Sequence, residues 1–204
     1  RERIRVVHLA PGDEFRRRAS AAEAAELCAR YGVEPGRFLV HVGQVARRKN
    51  LAVVLRALAR VAPDALGTPA LLLAGPPGVG AEEVEALVAE LGVGGRVRFG
   101  GYVPGADLPT LVGASLALVH PSYDEGFGLT PVEAMAAGVP ALASDRGALP
   151  EVVGAGGALL DADDPDAWAA AITAVATDRA HRAALVARGD LHQARFTWAR
   201  VAQE

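Results

Sequence analysis

The sequence has little of several residue types, and each shortage excludes a class of protein. Its 204 residues include one cysteine, so no disulfide can form within the chain. No apolar run approaches the ~18–20 residues of a transmembrane helix, and no apolar core follows the charged start as in a signal peptide. The formal net charge of -3, with mixed signs, lacks the positive field of a nucleic-acid-binding surface. We expect a cytoplasmic protein with no membrane span and no nucleic-acid partner.

The rarest reactive side chains are one thiol and one ammonium group. Cys28 lies in an alanine-rich helical pattern, which predicts a small buried filler and not a nucleophile. Lys49 is the sole lysine, because arginine supplies every other basic residue. A lone ammonium indicates a site where a compact, flexible point charge suits better than a planar guanidinium. A chance surface lysine is the alternative.

Short apolar strands alternate with helical patterns along most of the chain. The predicted strands are 3–9, 38–43, 70–74, 97–99, 116–119 and 140–143. The predicted helices are 20–31, 50–61, 81–91, 107–112, 130–138, 150–153, 166–186 and a last one that begins at 196–198. Nearly all-apolar strands between helices predict a Rossmann-like α/β fold, a parallel sheet with helices on both faces.

Ligands of such sheets bind beyond the carboxyl ends of the strands, so the loops that follow strands are informative. The loop Gly43–Asn50 carries Arg47, Arg48 and Lys49, three cations that suit a diphosphate, although a solvated basic turn has the same composition. The loop 75–80 has the wrong glycine spacing for a dinucleotide fingerprint, and its prolines lack backbone N–H groups. We exclude a nicotinamide site there and expect a tight turn.

Two carboxylates, Glu125 and Glu133, stand eight positions apart where a loop enters a helix. Backbone N–H groups at a helix N-terminus bind anions, and Gly126 and Gly128 let the backbone approach a ligand closely. Carboxylates at such a corner accept hydrogens from hydroxyl groups, and sugars are the obvious donors. The stretch therefore predicts a site for phosphate and sugar.

Several of these residues also have a purely structural interpretation. Thr130 and Glu133 have capping-box spacing, with Pro131 in the first helical position, which gives Glu133 a structural alternative. His41 and His120 lie in or at the end of strands, where a packed or hydrogen-bonded core histidine is the usual case. The acidic run 161–164 precedes a proline and a helix, which predicts turn and cap roles and no metal site.

The stretch 121–140, Pro-Ser-Tyr-Asp-Glu-Gly-Phe-Gly-Leu-Thr-Pro-Val-Glu-Ala-Met-Ala-Ala-Gly-Val-Pro, resembles the signature of the family-4 retaining glycosyltransferases, which have the GT-B fold. Glu125 and Glu133 match its E-x7-E pair. The likeness extends to three further segments, 43–50, 99–104 and 144–152.

The resemblance implies a donor domain, residues 1–190, that binds a nucleoside diphosphate sugar as substrate and uses neither a cofactor nor a metal. It implies that Arg48 and Lys49 bind the diphosphate and that Glu133 binds the ribose hydroxyls. Tyr102 and Val103 would lie near the base. Glu125 would be catalytic and face the sugar and phosphates. The backbone of the next four residues would line the same wall: Gly126, Phe127, Gly128 and Leu129.

The implied reaction is metal-independent hexose transfer with retention, and GDP-mannose is the first expectation for the donor. Gln44 departs from the pattern, since many members have an arginine there, and Arg47 or Arg48 is expected to compensate. The N-terminal acceptor domain of a GT-B enzyme is missing, and residues 191–204 resemble the start of the helix that crosses back to it. The isolated chain is then expected to transfer little sugar. The alternative is a non-catalytic nucleotide-sugar binding or assembly module.

Overall fold

The apolar runs of the sequence pair into one parallel sheet. The computed structural model describes residues 6–62 and 69–203, and its strands are β1 (Phe38–Val42), β2 (Ala70–Ala74), β3 (Val97–Gly101), β4 (Ala117–His120), β5 (Ala141–Ser144) and β6 (Ala158–Leu160). Their order is β3-β2-β1-β4-β5-β6, and each neighbouring pair is parallel. This is the Rossmann-like α/β sheet that the sequence predicts.

Helices cover both faces of the sheet. They are α1 (Ala21–Arg30), α2 (Leu51–Arg60), α3 (Ala81–Glu90), α4 (Leu108–Gly113), α5 (Leu129–Ala136), α6 (Leu149–Val153), α7 (Pro165–Thr177), α8 (Arg179–Gln193) and α9 (Trp198–Val201). Leu39 of β1 packs into the apolar cluster of α2, α3 and α7, while its neighbours Phe38 and Val40 pack into the cluster of α1 and α4. Cys28 is buried in the second cluster, which confirms its role as a filler. Within the described residues, no helix is both long and apolar enough to cross a bilayer.

Three element predictions differ from the structure. Residues 3–5 of the first predicted strand lie outside the described residues. Residues 6–9 form no strand, because their alternating apolar pattern suits a strand but no neighbouring strand of the described sheet pairs with them. The predicted helix 166–186 is two helices, since Asp178 is extended and its side chain accepts a hydrogen bond from His181 N to start α8. Strand β6 was not predicted. It has three residues and none is buried, so its pattern is weak.

Side-chain caps mark the start of two of the helices that the sequence predicts, α1 and α7. Ser20 and Glu23 form a capping box at the start of α1. Asp164 caps α7 by accepting hydrogen bonds from two backbone N–H groups, which confirms the cap role of the acidic run. Asn50 is the N-cap residue of α2, but its side chain makes no cap hydrogen bond. Its amide instead donates to the carbonyl of Ala162 at 2.8 Å and ties the first loop to the turn before α7.

The strand order changes direction between β1 and β4. From β1 the chain continues outward to β2 and β3, whereas from β4 it continues in the other direction to β5 and β6. The two connections therefore leave the carboxyl edge in opposite directions, and a crevice remains where ligands of such folds bind. The loops that follow β1 and β4, residues 43–50 and 121–128, form the two sides of this crevice.

The loop after β2 supports the loop after β1 by direct backbone contact. Val45 N donates to the Pro76 carbonyl at 3.0 Å, and Gly78 N donates to the Val45 carbonyl at 2.9 Å. A Cβ atom on Gly75 would lie 1.9 Å from the carbonyl oxygen of Gly43. The glycine is thus required because two backbones touch there. This contact gives the loop 75–80 a supporting role under the crevice.

We predict that Gly75→Ala destabilises the fold by at least about 1–3 kcal/mol, because the methyl group forces the loop after β1 to move. Urea unfolding would measure this. Gly113→Ala is the matched control, since an added Cβ there has no heavy atom within 4 Å and the residue is helical. The control should change stability by less than about 1 kcal/mol. Equal effects of the two substitutions would contradict the backbone contact.

Candidate active site at the carboxyl edge of the sheet

One carboxylate oxygen joins the two sides of the crevice. Glu125 Oε1 forms an ion pair with Lys49 Nζ, lies 3.7 Å from Arg48 Nη1, and accepts a hydrogen bond from His120 Nε2 at 3.1 Å. The side chains of Lys49 and Glu125 are 8% and 14% exposed, so the pair is largely shielded from solvent. The fold thus brings Glu125 to Arg48 and Lys49, which lie in a different predicted segment.

The backbone around Glu125 is held from two directions. Tyr123 N donates to the Arg48 carbonyl at 3.1 Å and so links the loops after β1 and β4. Ser144, the last residue of β5, donates its hydroxyl to the Ser122 carbonyl. A Cβ on Gly147, whose φ is +57°, would lie 3.1 Å from Glu125 N. The segment after β5 therefore packs behind the Glu125 loop and fixes its position.

Glu125 is ionised although it is largely buried. Burial on its own raises the pKa of this carboxyl, but hydrogen bonds from His120, Lys49 and Ser122 outweigh it and hold the pKa well below its ordinary value. The site therefore contains a carboxylate, and Lys49 and Arg48 supply positive charge beside it. Any anion that enters the crevice competes with Glu125 for these two cations.

The three cations of the first loop have different roles. Arg47 points away from Glu125 and pairs with Glu83 of α3, with its Nε 3.0 Å from Oε2. Its backbone N–H also donates to the Val79 carbonyl, so this residue anchors the loop. Arg48 lies beside Glu125 with a half-exposed side chain. Of the two arginines expected to compensate for Gln44, Arg48 is the one the structure places at the crevice.

Glu133 is free of the capping role that its spacing suggests. Helix α5 begins at Leu129 with Gly128 as N-cap and no side-chain cap, so Thr130 lies inside the first turn and the capping alternative was wrong. Within the described part of the chain, no side chain pairs with the Glu133 carboxyl. Burial and then the charge of Glu14 raise its pKa to about 7.

The predicted backbone wall lies at the N-terminus of α5. Gly128 has φ +93°, and a Cβ there would lie 2.6 Å from the Leu149 side chain, so only glycine fits. Gly126 is exposed and Leu129 is partly exposed, which leaves this backbone open to the crevice. The Phe127 ring lies 6.0 Å from the Phe196 ring in an aromatic cluster. Its side chain therefore packs the loop, and only its backbone belongs to the wall.

Tyr102 and Val103 lie at the same edge of the sheet but farther out. They follow β3, which is two strands away from β1. Tyr102 is 75% exposed, whereas Val103 is 6% exposed and packs in the apolar cluster of α1 and α4. A contact with a base would therefore use the Tyr102 ring and the Val103 backbone. Their role stays a prediction.

The sequence analysis missed His120 as a site residue. It was interpreted as a core group, and it is buried, but its Nε2 also reaches Glu125. The available signal was its position, since it is the last residue of β4 and directly precedes the crevice loop. His41 behaves as expected of a core residue. It is fully buried and its Nδ1 donates to the Val119 carbonyl at 3.2 Å.

The family profile "Glycosyl transferases group 1" matches residues 30–192. The chain belongs to the group 1 glycosyltransferases. It is 34% identical to O-antigen chain mannosyltransferase B of Escherichia coli over 197 aligned residues. The alignment covers 97% of this chain and 51% of that protein. It is also 37% identical to a D-inositol 3-phosphate glycosyltransferase of Corynebacterium kroppenstedtii over 169 aligned residues. This alignment covers 79% of this chain and 37% of that protein. The chain thus spans about half, or less, of the length of these relatives.

Solved structures confirm the predicted fold class. The group 1 domain superposes on Anabaena HepE in complex with UDP with a TM-score of 0.86 and 25% identity, over 98% of this chain and 55% of HepE. It superposes on sucrose-phosphate synthase from Thermosynechococcus elongatus with a TM-score of 0.79 and 29% identity, over 95% of this chain and 49% of the synthase. The chain corresponds to one Rossmann-like half of a GT-B glycosyltransferase.

We predict that Glu133→Gln stabilises this glycosyltransferase domain at pH 8. The folded pKa of Glu133, about 7, lies above the ordinary value of 4.5, so the folded state binds the extra proton between these values. Stability therefore falls as pH rises through this window, and the variant avoids the loss. The gain at pH 8 should reach up to about 3 kcal/mol and vanish near pH 4, since one pKa unit is worth about 1.4 kcal/mol.

Urea unfolding at several pH values measures this difference. Glu14→Gln serves as the matched variant, because it removes the neighbouring charge and leaves the Glu133 carboxyl in place. It should give a smaller gain in the same direction. A loss of stability in Glu133→Gln at every pH would instead indicate a capping role.

Proposed function

We propose that this chain is the donor-binding half of a retaining, metal-independent hexosyltransferase, and that residues 1–190 bind a nucleoside diphosphate sugar. One observation carries the proposal. At the point where the strand order changes direction, Lys49 and Arg48 converge on Glu125 beside the uncapped N-terminus of α5. Cations, free backbone N–H groups and a carboxylate in one crevice suit a ligand that carries phosphates and hydroxyl groups together.

The diphosphate would occupy the space between the two cations and the start of α5. Lys49 and Arg48 both face Glu125 Oε1, and phosphate oxygens offer them more negative charge than one carboxylate does. The same groups, with the helix N-terminus, would stabilise the charge that develops on the diphosphate as it leaves the sugar. This placement leaves Glu125 facing the sugar as the catalytic carboxylate.

The nucleoside would extend from the diphosphate toward Glu133. This carboxyl is partly buried and has no hydrogen-bond donor among the described side chains, an arrangement that is costly for an ionised group. The two ribose hydroxyls are donors of the right kind to satisfy it. The base would then lie near the exposed ring of Tyr102 and the backbone of Val103.

We propose GDP-mannose as the first donor to test. The loop Gly43–Asn50 ends in Arg-Lys-Asn, which resembles the loop of mannosyl-transferring members of the family, and the Escherichia coli relative is named a mannosyltransferase. UDP-glucose is the second candidate, because one of the superposed HepE structures contains UDP and glucose. The N-terminal acceptor domain would complete the enzyme, with residues 191–204 leading back to it. If a fusion to that domain transferred no sugar from any donor, the non-catalytic binding module would be the better assignment.

We predict that the chain binds GDP, UDP or ADP and that Lys49→Ala weakens this binding by about 1–3 kcal/mol, the range for a lost charge-assisted hydrogen bond. Calorimetric titration with the three nucleotides measures the affinity and identifies the base. Because Lys49 is the only lysine, ¹⁵N-lysine labelling reports this one residue, and its signal should shift when the nucleotide binds.

Arg47→Ala is the matched control, because it removes a cation from the same loop but one that pairs with Glu83. It should change nucleotide affinity by less than about threefold, since its charge lies away from Glu125. Unchanged affinity in Lys49→Ala would remove this lysine from the binding site. Absence of binding by all three nucleotides would overturn the proposed function.

A further inference from the structure

A buried imidazole, that of His120, contacts the proposed catalytic carboxylate of Glu125. His120 is 2% exposed, and its Nε2 lies 3.1 Å from Glu125 Oε1 and 3.5 Å from Ser122 Oγ. Of the three groups that contact this Glu125 oxygen, Lys49 and Arg48 can turn to a ligand. His120 is the last residue of a central strand and is covered by the fold, so a ligand does not displace it.

The hydrogen-bond pattern fixes the state of the His120 ring. Its Nδ1 is buried and has no hydrogen-bond partner among residues 6–62 and 69–203, so a proton on that atom would be unsatisfied. Burial lowers the pKa of His120, and the charges of Lys49 and Arg48 lower it further against the opposing effect of Glu125. The ring is therefore neutral, with its single hydrogen on Nε2, where it is donated to Glu125.

A second imidazole backs the first. The His41 ring on β1 stacks on the His120 ring with 6.1 Å between centroids and 29° between planes. His41 is neutral too, since burial lowers its pKa to about 3. The charged groups around His120 are thus Glu125 on its own loop and Lys49 and Arg48 on the loop after β1. Two neutral rings on neighbouring strands hold the Nε2–H donor in one place.

We propose that His120 is a positioning residue, which holds Glu125 as an ionised acceptor for the donor sugar after the diphosphate has drawn Lys49 and Arg48 away. This inference rests on the proposed function. Before the donor binds, Glu125 has four partners, namely Lys49, Arg48, His120 and Ser122; with the two cations engaged by phosphate, His120 and Ser122 remain. Burial favours the protonated carboxyl, which would donate a hydrogen to the sugar hydroxyls instead of accepting one. The fixed donor from His120 opposes that change.

The inference can be tested without any nucleotide. Lys49→Ala removes the nearer of the two cations that the diphosphate would engage, and Glu125 then depends more strongly on His120. We expect the Glu125 carboxyl, followed by ¹³C NMR and assigned with Glu125→Gln, to titrate at a higher pH in Lys49→Ala/His120→Phe than in Lys49→Ala alone. In Lys49→Ala/His120→Gln, an amide N–H replaces the ring donor, and the carboxyl should titrate as in Lys49→Ala. The same midpoint in all three proteins would overturn the inference.

The ring state gives a second measurement that needs no substitution. In a ¹⁵N-histidine-labelled sample of the unaltered chain, the nitrogen shifts of His120 should show the Nε2–H tautomer. A hydrogen on Nδ1 would overturn the inference even if the phenylalanine variant failed to fold.

The functional consequence is measured as an affinity ratio. In His120→Phe we expect the affinity for UDP-glucose relative to UDP, or for GDP-mannose relative to GDP, to fall about tenfold, because Glu125 faces the sugar and not the base. His120→Gln should recover most of this ratio. An unchanged ratio in His120→Phe would contradict the inference. If the unaltered chain binds no nucleotide, the proposed function fails, and the carboxyl titration and the tautomer still decide the role of His120.

Discussion

The parallel pairing of β1 with β4 is the constraint on which the site depends. Leu39 pairs with Ala117 and Val40 with Leu118, so segments far apart in the sequence run side by side and end at the same edge. The remaining strands extend outward from this pair on either side. The loops after β1 and β4 consequently face each other across a crevice, and the contact of Lys49 with Glu125 spans it. The apolar core thus determines which loops face each other at the crevice, because it holds β1 and β4 in this pairing.

Much of the fold is predictable because its strands are apolar on both faces. Leu39 and Val40 pack into opposite clusters, and a pattern without a polar side indicates a sheet covered twice. Two of the failures share a cause, since each concerns a strand whose existence depends on distant neighbours. β6 pairs with β5 through three residues, and residues 6–9 alternate as a strand does but have no partner. Local patterns do not contain such pairings.

Most residues of the candidate site could be predicted from the sequence, but which of them face the crevice could not. The sequence places Arg47, Arg48 and Lys49 in one loop, and only the packing of α3 shows that Glu83 takes Arg47 away from the crevice. Likewise, the spacing between Thr130 and Glu133 allowed Glu133 a role in a capping box. The helix starts earlier, at Leu129, because Gly128 adopts a positive φ. Which of several like residues meets a ligand is decided by tertiary contacts.

The two glutamates of the signature have opposite electrostatic environments. Cations and an imidazole surround Glu125 and keep it ionised despite burial, whereas Glu133 has burial and Glu14 against it and no donor in its favour. The cations beside Glu125 are available to an anion. The Glu133 carboxyl has no hydrogen-bond donor among the described side chains, and hydroxyl groups would supply one. In the proposed function, a ligand with phosphates at one point and a ribose at the next would satisfy both environments, which lie eight positions apart on one loop and helix. Binding of such a ligand would then offset the stability that an ionised, buried Glu133 costs the fold.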